Sequence, residues 1–501
     1  MVPATSPQPA PTSGLTALLA LRDQLDQSIH QIQQENLDVP DLNSLTPPAF
    51  STPPRAVTQA VNTTKELLAL LSGWTGVYHV SSAIRVVIEV HVTEQLIAAH
   101  KAGKPGLHVS ELAKGSEIDP AKLGELPLPR EAPISSQVTL TLTPHPASVL
   151  CWVARILRVL AAHYIFREIE PDVFANNYRS LSLSTGKSIE ELESDKDWYS
   201  HTNGFAAFLT VMTQEGFKGA AFLTDTLLSP STSHSYQPDE TPLSIARGKK
   251  EPIWALWGSE EGGIEKHRFG AGMMGQLTIN GGSGIDTGFP FASLPPASTI
   301  VDVGGGVGAV TSLIHRLAPH VNLVLQDLPD VIKGPATQRW LKEDPKAVEE
   351  GRIRLMGQDF FEEQGVKGAE VYVLSSIIHD WPDSLSIKIL THLSDAAKPT
   401  SRLVLIEAPY ENLDSPSTTT SLSGYSPLNP YYLDMQMMTV LNGMERTEEG
   451  YRRVGEGSGW RLVRVWKTGR DKEGREVEGA YRHYEFELEQ GVKAQKEKGK
   501  E

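Results

Sequence analysis

The sequence predicts an α/β protein in which a doubly wound, largely parallel sheet follows an N-terminal helical, winged-helix-like domain. Two observations predict this fold. From Ser298 onward, short apolar strands alternate with helical segments, as they do in parallel sheets. Before residue 195, apolar residues recur mainly at the helical period. The chain has 501 residues, of which 40% are apolar, so it can bury the cores of two to four domains.

Composition changes along the chain predict the domain limits. Residues 1–14 hold Pro, Ser, Thr and Ala with little to bury, and we expect them to be disordered. The further segments are the N-terminal domain at 15–195, connecting helices and a pocket segment at 196–290, the sheet domain at 291–488, and a charged tail at 489–501. Within the N-terminal domain, residues 124–149 are proline-rich without a helical period. They are either a flexible insert or a retained intron, and the sequence leaves both open.

The N-terminal domain is predicted to be mainly helical. Periodic apolar residues predict helices at about 15–37, 56–72 and 80–102, with a Pro-rich linker over 38–55. A short helix follows Val109, and a helix over 151–166 leads into alternating residues that predict a hairpin ending near Leu183. This order of elements resembles a winged helix.

The rest of the chain builds the sheet domain. Helices are predicted near 204–214, 219–228 and 252–257, before a glycine-rich connection over 281–288. The predicted parallel strands are TIVDVG, NLVLQD, RIRLMGQD, EVYVLSS and RLVLIEA, with helices at about 307–318, 335–342 and 384–397. RLVRVWKT and AYRHYEFELE alternate around a charged turn, which predicts an antiparallel hairpin at one edge.

Charge and cysteine content exclude several classes of function. Lys and Arg number 46 and Asp and Glu 61, so the net charge is 46 − 61 = −15, which disfavours nucleic-acid binding. A single cysteine, Cys151, excludes an internal disulfide framework and a cysteine-cluster metal site. The N-terminus lacks a secretory signal pattern, and the longest apolar window, 149–166, carries Arg155, Arg158 and His163. We therefore expect a cytoplasmic protein without a membrane span.

The first candidate site is the glycine turn after strand TIVDVG. Gly304, Gly305, Gly306 and Gly308 lie between that strand and a helix. Residues without side chains let a ligand approach the backbone, and a helix start supplies free N–H groups. The spacing G-x-G-x-G differs from the G-x-G-x-x-G of dinucleotide folds, so the turn does not require a pyrophosphate.

Acidic residues end the next two strands. Asp327 lies 23 residues beyond Gly304, a spacing that suits the two hydroxyls of a ribose. The alternative role for Asp327 is to cap the helix that starts at Pro329. Asp359 and Phe360 follow the third strand and offer an acceptor and an aromatic face suited to an adenine.

His379 follows the fourth strand in the run IIHDWPD and faces the crevice at the carboxyl edge of the sheet. Its ordinary pKa near 6.5 would let it accept a proton at neutral pH. Glu407 and Glu445 come later and could orient the imidazole, although Glu445 beside Arg446 could also form a surface ion pair. A metal at His379 and Asp380 is disfavoured because no further histidine-rich ligand set accompanies them.

VDVGGGVG, QDLPDVI, QDFF, IIHDWPD, LVLIEAP and NGMERTEEGYRRVGEGSGW occur in this order. Together they resemble the S-adenosylmethionine-dependent O-methyltransferases of the plant caffeate and flavonoid type, and most of all the fungal sterigmatocystin-type branch. The resemblance covers about 230–466, and the N-terminal helices resemble the dimerisation domain of this family. It implies a class I methyltransferase fold, with an S-adenosylmethionine-binding catalytic domain at 291–488, and a homodimer.

The resemblance also implies residue roles. Gly304, Gly305 and Asp327 would bind the methionine and ribose parts of S-adenosylmethionine, and Asp359 and Phe360 the adenine. Ser375 stands where many relatives have a basic cofactor contact. His379 would be the general base, with Glu407 and Glu445 as orienting carboxylates. Residues at the positions of the family's acceptor pocket are Met435, Met438 and Asn442.

The sequence therefore predicts a metal-independent O-methyltransferase that acts on a phenolic hydroxyl of a polyketide or flavonoid-like secondary metabolite. Two alternatives remain at this stage: an NAD-dependent oxidoreductase, which the glycine spacing disfavours, and a non-catalytic cofactor-binding regulator, which the combination of His379, Glu407 and Glu445 disfavours. Scattered pocket residues do not encode the identity of the acceptor or the position that is methylated.

Overall fold

A computed structural model describes most of the chain. The described residues are 27–31, 34, 77–115, 146–194, 198–199, 202–258, 263–279, 282–411, 430–470 and 474–489. The chain packs as two units, Met1–Ser184 with Thr420–Tyr425 and Thr185–Thr419 with Ser426–Glu501. The domain limits given above stay a prediction.

The first unit combines helices with a small antiparallel sheet. Its elements are α1 (Val77–Glu89), α2 (Val92–Lys101), β1 (Leu107–His108), α3 (Val109–Gly115), α4 (Pro146–Ala162), β2 (Arg167–Glu170), β3 (Val173–Ala175) and α5 (Tyr178–Leu181). The antiparallel pairing of β2 with β3 confirms the predicted hairpin after α4. It ends at Ala175 and not near Leu183, because Asn177 caps the helix α5 that follows.

Two helices of this unit differ from the sequence prediction. The expected helix at 80–102 is two helices, because His91 adopts a left-handed backbone with φ 56° between α1 and α2. Helix α4 begins at Pro146 and so includes the last four residues of the expected insert. The remainder of that insert lies outside the described residues, as do the predicted helix at 56–72 and most of the one at 15–37.

The second unit begins with helices that precede the sheet. They are α6 (Ile189–Ser194), α7 (Phe205–Val211), α8 (Phe217–Ala221), α9 (Leu223–Leu228), α10 (Pro242–Arg247), α11 (Ile253–Gly258) and α12 (Gly263–Ile279). A π-helical turn, Met212–Gly216, joins α7 to α8. Short 3-10 turns at Gly282–Gly284 and Phe291–Ser293 lead into the sheet.

Helix α12 is missing from the sequence prediction because its glycines lower helix propensity. The packing of α12 on α7 explains two of them. A Cβ on Gly275 would lie 2.3 Å from the backbone of Gly204, and one on Gly272 would lie 3.1 Å from that of Phe208. The glycines therefore allow two helices to approach more closely than side chains would permit.

The sheet has seven strands: β4 (Thr299–Val303), β5 (Asn322–Asp327), β6 (Ile353–Gly357), β7 (Val371–Ser375), β8 (Arg402–Glu407), β9 (Trp460–Arg470) and β10 (Glu476–Leu488). The helices that connect and follow them are α13 (Ala309–Leu317), α14 (Pro329–Val331), α15 (Thr337–Glu343), α16 (Pro345–Glu349), α17 (Asp383–Ala396), α18 (Pro430–Leu441) and α19 (Glu448–Glu456). A π-helical turn, Ile332–Ala336, joins α14 to α15.

The strand order is β6-β5-β4-β7-β8-β10-β9, which confirms the doubly wound α/β fold. Strands β4 to β8 are parallel, and β10 and β9 form the predicted antiparallel hairpin at one edge. The middle strands are almost fully buried because helices cover both faces. The chain reverses its winding between β4 and β7, and ligands of such sheets bind in the crevice at the carboxyl ends of the strands there.

None of the helices that the structure describes is long and apolar enough to cross a membrane.

Candidate active site

The glycine turn at the end of β4 takes backbone conformations that disfavour side chains. Gly304, Gly306 and Gly308 all have positive φ, at 72°, 59° and 86°. A Cβ on Gly304 would lie 2.8 Å from Ile377, whereas one on Gly306 would meet nothing within 4 Å. The backbone at Gly306 therefore borders open space, and a ligand can approach it there.

Gly305 faces the protein interior. A Cβ there would lie 2.5 Å from the Leu325 side chain and 2.6 Å from the Asp302 carboxylate. That carboxylate accepts bonds from the Thr311 N–H at 3.1 Å and the Thr311 hydroxyl at 2.5 Å, at the start of α13. Burial raises the pKa of Asp302 to about 6 despite these bonds. Asp302 therefore joins the strand to the helix on either side of the glycine turn.

Asp327 lies at the carboxyl end of β5, directly beside the turn. Its Oδ2 accepts a hydrogen bond from the Gly306 N–H at 2.8 Å, and its Oδ1 accepts one from the N–H of the next residue, Leu328, at 2.8 Å. The carboxylate is half-buried. The carboxylate thus holds the glycine turn and lies at its open side.

Asp359 and Phe360 follow β6 along the same edge. Asp359 Oδ1 accepts the Phe361 N–H at 2.8 Å, and the Phe360 ring lies 5.9 Å from that of Trp381. Ser375 is the last residue of β7, next to β4. The structure thus brings these predicted residues to the crevice where the winding reverses.

Behind this edge, two buried glutamine side chains form a reciprocal pair. Gln326 donates to Gln364 at 2.7 Å, and Gln364 donates to Gln326 at 2.9 Å. Gln326 precedes Asp327, and Gln364 follows the Asp359 turn. The pair therefore connects the strand end to that turn, a link that the sequence analysis did not identify.

His379 lies in a 3-10 turn, Ile378–Asp380, directly after β7. Its side chain is 7% exposed, and its Nδ1 is 2.6 Å from Oε1 of Glu445. Oε2 of Glu407 lies 3.8 Å from the same nitrogen, while Nε2 lies 3.5 Å from Oδ1 of Asp380. Three carboxylates therefore surround one imidazole.

The two glutamates reach His379 from different elements. Glu407 ends β8, and its Oε1 accepts the Ile378 N–H at 2.9 Å, which supplies the polar partner that a buried carboxylate needs. Glu445 follows α18, and its side chain is completely buried. Glu445 is therefore not part of a surface ion pair with Arg446.

The pKa of His379 is higher than the ordinary value near 6.5 that the sequence analysis assumed. Burial alone lowers the pKa of His379, but the Glu445, Glu407 and Asp380 carboxylates outweigh it and raise the pKa to about 10. Burial raises the pKa of Glu407 and of Asp380 as well. The imidazolium form of His379 is therefore favoured at neutral pH.

Two residues that the sequence analysis did not assign to the site support this cluster. Arg446 is 3% exposed and donates to the carbonyls of Ile378 and Trp381. Asp434, in α18, accepts the Glu445 N–H through Oδ1 at 2.8 Å. The sequence does not indicate that these two charged residues belong to the site, because charged residues are usually exposed.

Aromatic side chains meet beside the cluster. Trp254 stacks on Trp381 at 6.3 Å, and Trp257 stacks on Phe269 at 4.0 Å. The indole N–H groups of Trp254, Trp257 and Trp381 are buried, with no hydrogen-bond partner among the described residues. These rings pack on one another within hydrophobic clusters, and their buried indole N–H groups are donors that a planar ligand carrying oxygen atoms could use.

The three residues expected at the acceptor pocket lie in or just after α18. Met435 is 43% exposed and Met438 is half-buried. Asn442 has φ 55°, and its side-chain amide donates to the Gln237 carbonyl at 2.8 Å. Their contact with an acceptor stays a prediction.

Within the described residues, no group of three or more His, Cys, Asp or Glu side chains is arranged to hold a metal ion.

Comparisons with known proteins identify the family. The sequence profile of the O-methyltransferase domain matches residues 246–461. An O-methyltransferase from Armillaria gallica is 31% identical over 425 residues, which is 81% of this chain and 83% of that protein. A sterigmatocystin 8-O-methyltransferase from Aspergillus flavus is 27% identical, over 58% of this chain and 61% of that one.

A solved structure shares the fold. It is an O-methyltransferase from neocarzinostatin biosynthesis in complex with S-adenosylmethionine and 2-hydroxy-5-methyl naphthoic acid. The TM-score is 0.55 at 19% identity, and the match covers 82% of this chain and 96% of that chain.

The fold and these matches define a class I O-methyltransferase. The chain belongs to the O-methyltransferase family of fungal secondary-metabolite enzymes, as the ordered motifs predicted. Its cofactor is S-adenosylmethionine. This result overturns the alternative of an NAD-dependent oxidoreductase.

The residues at the crevice fit this cofactor. The open backbone at Gly306 and the Asp327 carboxylate beside it suit a nucleoside with two ribose hydroxyls. Asp359 and Phe360, one strand further along, offer a carboxylate and a ring edge for a base.

We expect Asp327→Ala to weaken S-adenosylmethionine binding about ten- to a hundredfold. The substitution removes charge-assisted hydrogen bonds, each worth about 1.5–3 kcal/mol. Isothermal titration calorimetry measures the affinity, and thermal melting checks the fold because Asp327 also holds the glycine turn. Asp330→Ala, an exposed acid three residues away, is the matched control and should bind normally. An affinity of Asp327→Ala within twofold of the parent would rule out the ribose contact.

Proposed function

We propose that this O-methyltransferase methylates a phenolic hydroxyl of a secondary metabolite, with His379 as the general base. The observation that carries the proposal is the buried contact of 2.6 Å between Nδ1 of His379 and Glu445. A carboxylate on Nδ1 holds one proton there and leaves Nε2 as the nitrogen that can exchange a proton with the acceptor.

A phenol needs such a base. Its pKa is near 10, so at pH 7 it is mostly neutral and a poor nucleophile. When bound, S-adenosylmethionine supplies an electrophilic methyl group on a positively charged sulfur. His379 takes the hydroxyl proton on Nε2 as the oxygen attacks, and Glu445 and Glu407 stabilise the imidazolium that results.

The other assigned residues bind and orient. We propose that Gly304, Gly305 and Asp327 hold the methionine and ribose parts of the cofactor. Because Gly305 faces the interior, its part in this is a backbone one. Asp359 and Phe360 would hold the adenine, and Ser375, at the end of β7, stands where many relatives have a basic cofactor contact.

For the acceptor, this aromatic cluster would supply contacts to an aromatic ring, and its buried indole N–H groups would supply donors to the acceptor's oxygens. Met435, Met438 and Asn442 would line the same pocket from α18. The naphthoic acid ligand of the neocarzinostatin enzyme, which carries an aromatic hydroxyl, is consistent with this class of acceptor.

We expect His379→Gln to lower the single-turnover rate of methyl transfer by about 10²–10⁴, the usual contribution of general base catalysis. The glutamine side chain can still form hydrogen bonds, but it does not take up a proton. S-adenosylmethionine affinity should barely change, and His320→Gln, at an exposed histidine, should turn over normally. Labelled cofactor and a panel of phenolic polyketides and flavonoids provide the assay. A near-normal rate for His379→Gln across the pH range in which the parent enzyme is active, on an accepted substrate, would eliminate the base assignment.

The pH profile of kcat/KM tests the role of Glu445. Because the carboxylates raise the pKa of His379, the neutral base forms only as the pH rises, and kcat/KM should increase toward alkaline pH. Glu445→Gln removes one negative charge, lowers the pKa of His379 and should shift this rise to lower pH, with a smaller maximum. Both proteins are assayed with the same acceptor, so that its own ionisation cancels. Glu448→Gln, at an exposed glutamate, should leave the profile unchanged. A rise that stays in place or shifts upward in Glu445→Gln contradicts this prediction.

We also propose that the first unit mediates a homodimer. The support is the family resemblance of its helices, together with exposed aromatic side chains at Tyr78 and Tyr164, which are 50% and 58% exposed. Light scattering of the full chain should give twice the chain mass of 54.8 kDa at micromolar concentration. A monomer mass under those conditions would reject the dimer.

A further inference from the structure

A single buried arginine holds the backbone on both sides of His379. Nη1 of Arg446 donates to the Ile378 carbonyl at 2.7 Å, and Nη2 donates to the Trp381 carbonyl at 2.6 Å. These two carbonyls bracket His379 and Asp380. The side chain of Arg446 is only 2% exposed, so water competes little for these bonds.

The same guanidinium is also fixed from the other side. Its Nε donates to Oδ1 of Asp383 at 2.9 Å, and Nη2 makes a longer bond to the Ser386 hydroxyl at 3.3 Å. Both residues belong to the first turn of α17. Arg446 therefore joins the turn that carries His379 to the helix that follows it, with its charge balanced by Asp383.

The residues before Arg446 hold the same turn. The Met444 N–H donates to the His379 carbonyl at 2.8 Å. Gly443 packs so closely that a Cβ would lie 2.2 Å from that carbonyl oxygen. Glu445 contacts the ring through Nδ1. One short segment thus contacts His379 at its backbone and its imidazole.

We propose that Arg446 is a positioning residue for methyl transfer: by binding the carbonyls on either side of His379, it sets the position of the imidazole relative to Glu445. This inference rests on the proposed function of His379. The planar fork of arginine is required because its separate N–H groups reach two carbonyls and a carboxylate at once, which a lysine ammonium does not do in the same geometry.

A positioning role differs from a purely structural one in what it changes. Loss of a structural residue lowers the folded fraction and reduces all activities alike. Loss of a positioning residue lowers kcat in the folded protein, because a displacement of about 1 Å at a reacting group can cost about a hundredfold in rate. It should also alter the hydrogen bond between His379 and Glu445, while cofactor binding stays unchanged.

The test compares Arg446→Met and Arg446→Lys with the parent enzyme. We expect kcat to fall about 10–100-fold in Arg446→Met and less in Arg446→Lys, with KM for S-adenosylmethionine within about twofold. In 15N-histidine-labelled protein, the low-field resonance of the Nδ1 proton, assigned by its absence in His379→Gln, should shift or broaden in both variants. Arg453→Met is the matched control: Arg453 binds Asp383 but is 64% exposed, and no hydrogen bond joins it to the His379 turn among the described residues. It should leave kcat and the resonance unchanged.

A kcat within twofold of the parent together with an unshifted resonance would overturn the proposal. So would a kcat that falls only in proportion to the folded fraction while the resonance stays in place. If Arg446→Met does not fold, Arg446→Lys decides by the same two measurements. The resonance reports the geometry of His379 whether or not this residue is the base, and the rate of His379→Gln tests the base separately. Failure of either idea is therefore distinguishable from failure of the other.

Discussion

The contact between His379 and the buried carboxylate of Glu445 is the interaction on which the rest of the site depends. Burying an imidazole among three carboxylates is unfavourable unless each group has a partner. Separate elements supply these partners: backbone N–H groups for Glu407, and the ring of His379 for Glu445 and Asp380. The buried Arg446 in turn donates to the carbonyls around the turn. The chemistry of the site is therefore inseparable from the packing of β8, α18 and the turn after β7.

A second constraint is the reversal of the sheet winding between β4 and β7. It opens a crevice at the carboxyl ends of the strands, where helices do not cover the sheet. The glycine turn after β4 borders this crevice, and the His379 turn follows β7 directly alongside. The glycine turn and His379 are thus brought together by sheet topology, although about 70 residues separate them in the chain. The same geometry explains why parallel-sheet enzymes of unrelated chemistry share this location.

The raised proton affinity of His379 has a consequence for catalysis. The carboxylates around the ring favour its protonated form, so in the proposed reaction they would stabilise the state that follows proton transfer from the acceptor. An imidazole that is already protonated does not accept a proton from the acceptor. An imidazole without neighbouring carboxylates would have less stabilisation of the imidazolium that forms. In the proposed reaction, turnover is therefore expected to be faster at alkaline pH than at neutral pH.

The sequence by itself determined the parallel sheet, the edge hairpin, the family and the residues gathered at the crevice. Apolar strand runs, glycine turns and strand-end acids are local patterns whose meaning does not depend on distant residues. Only the tertiary structure decided the rest. Helix α12 was hidden because its glycines are explained by contact with α7, not by local propensity. The burial of Glu445 and Arg446, and with it the titration of His379, depends on α18 and α17 packing around one turn. Burial and charge pairing arise from residues far apart in the chain, so no local pattern encodes them.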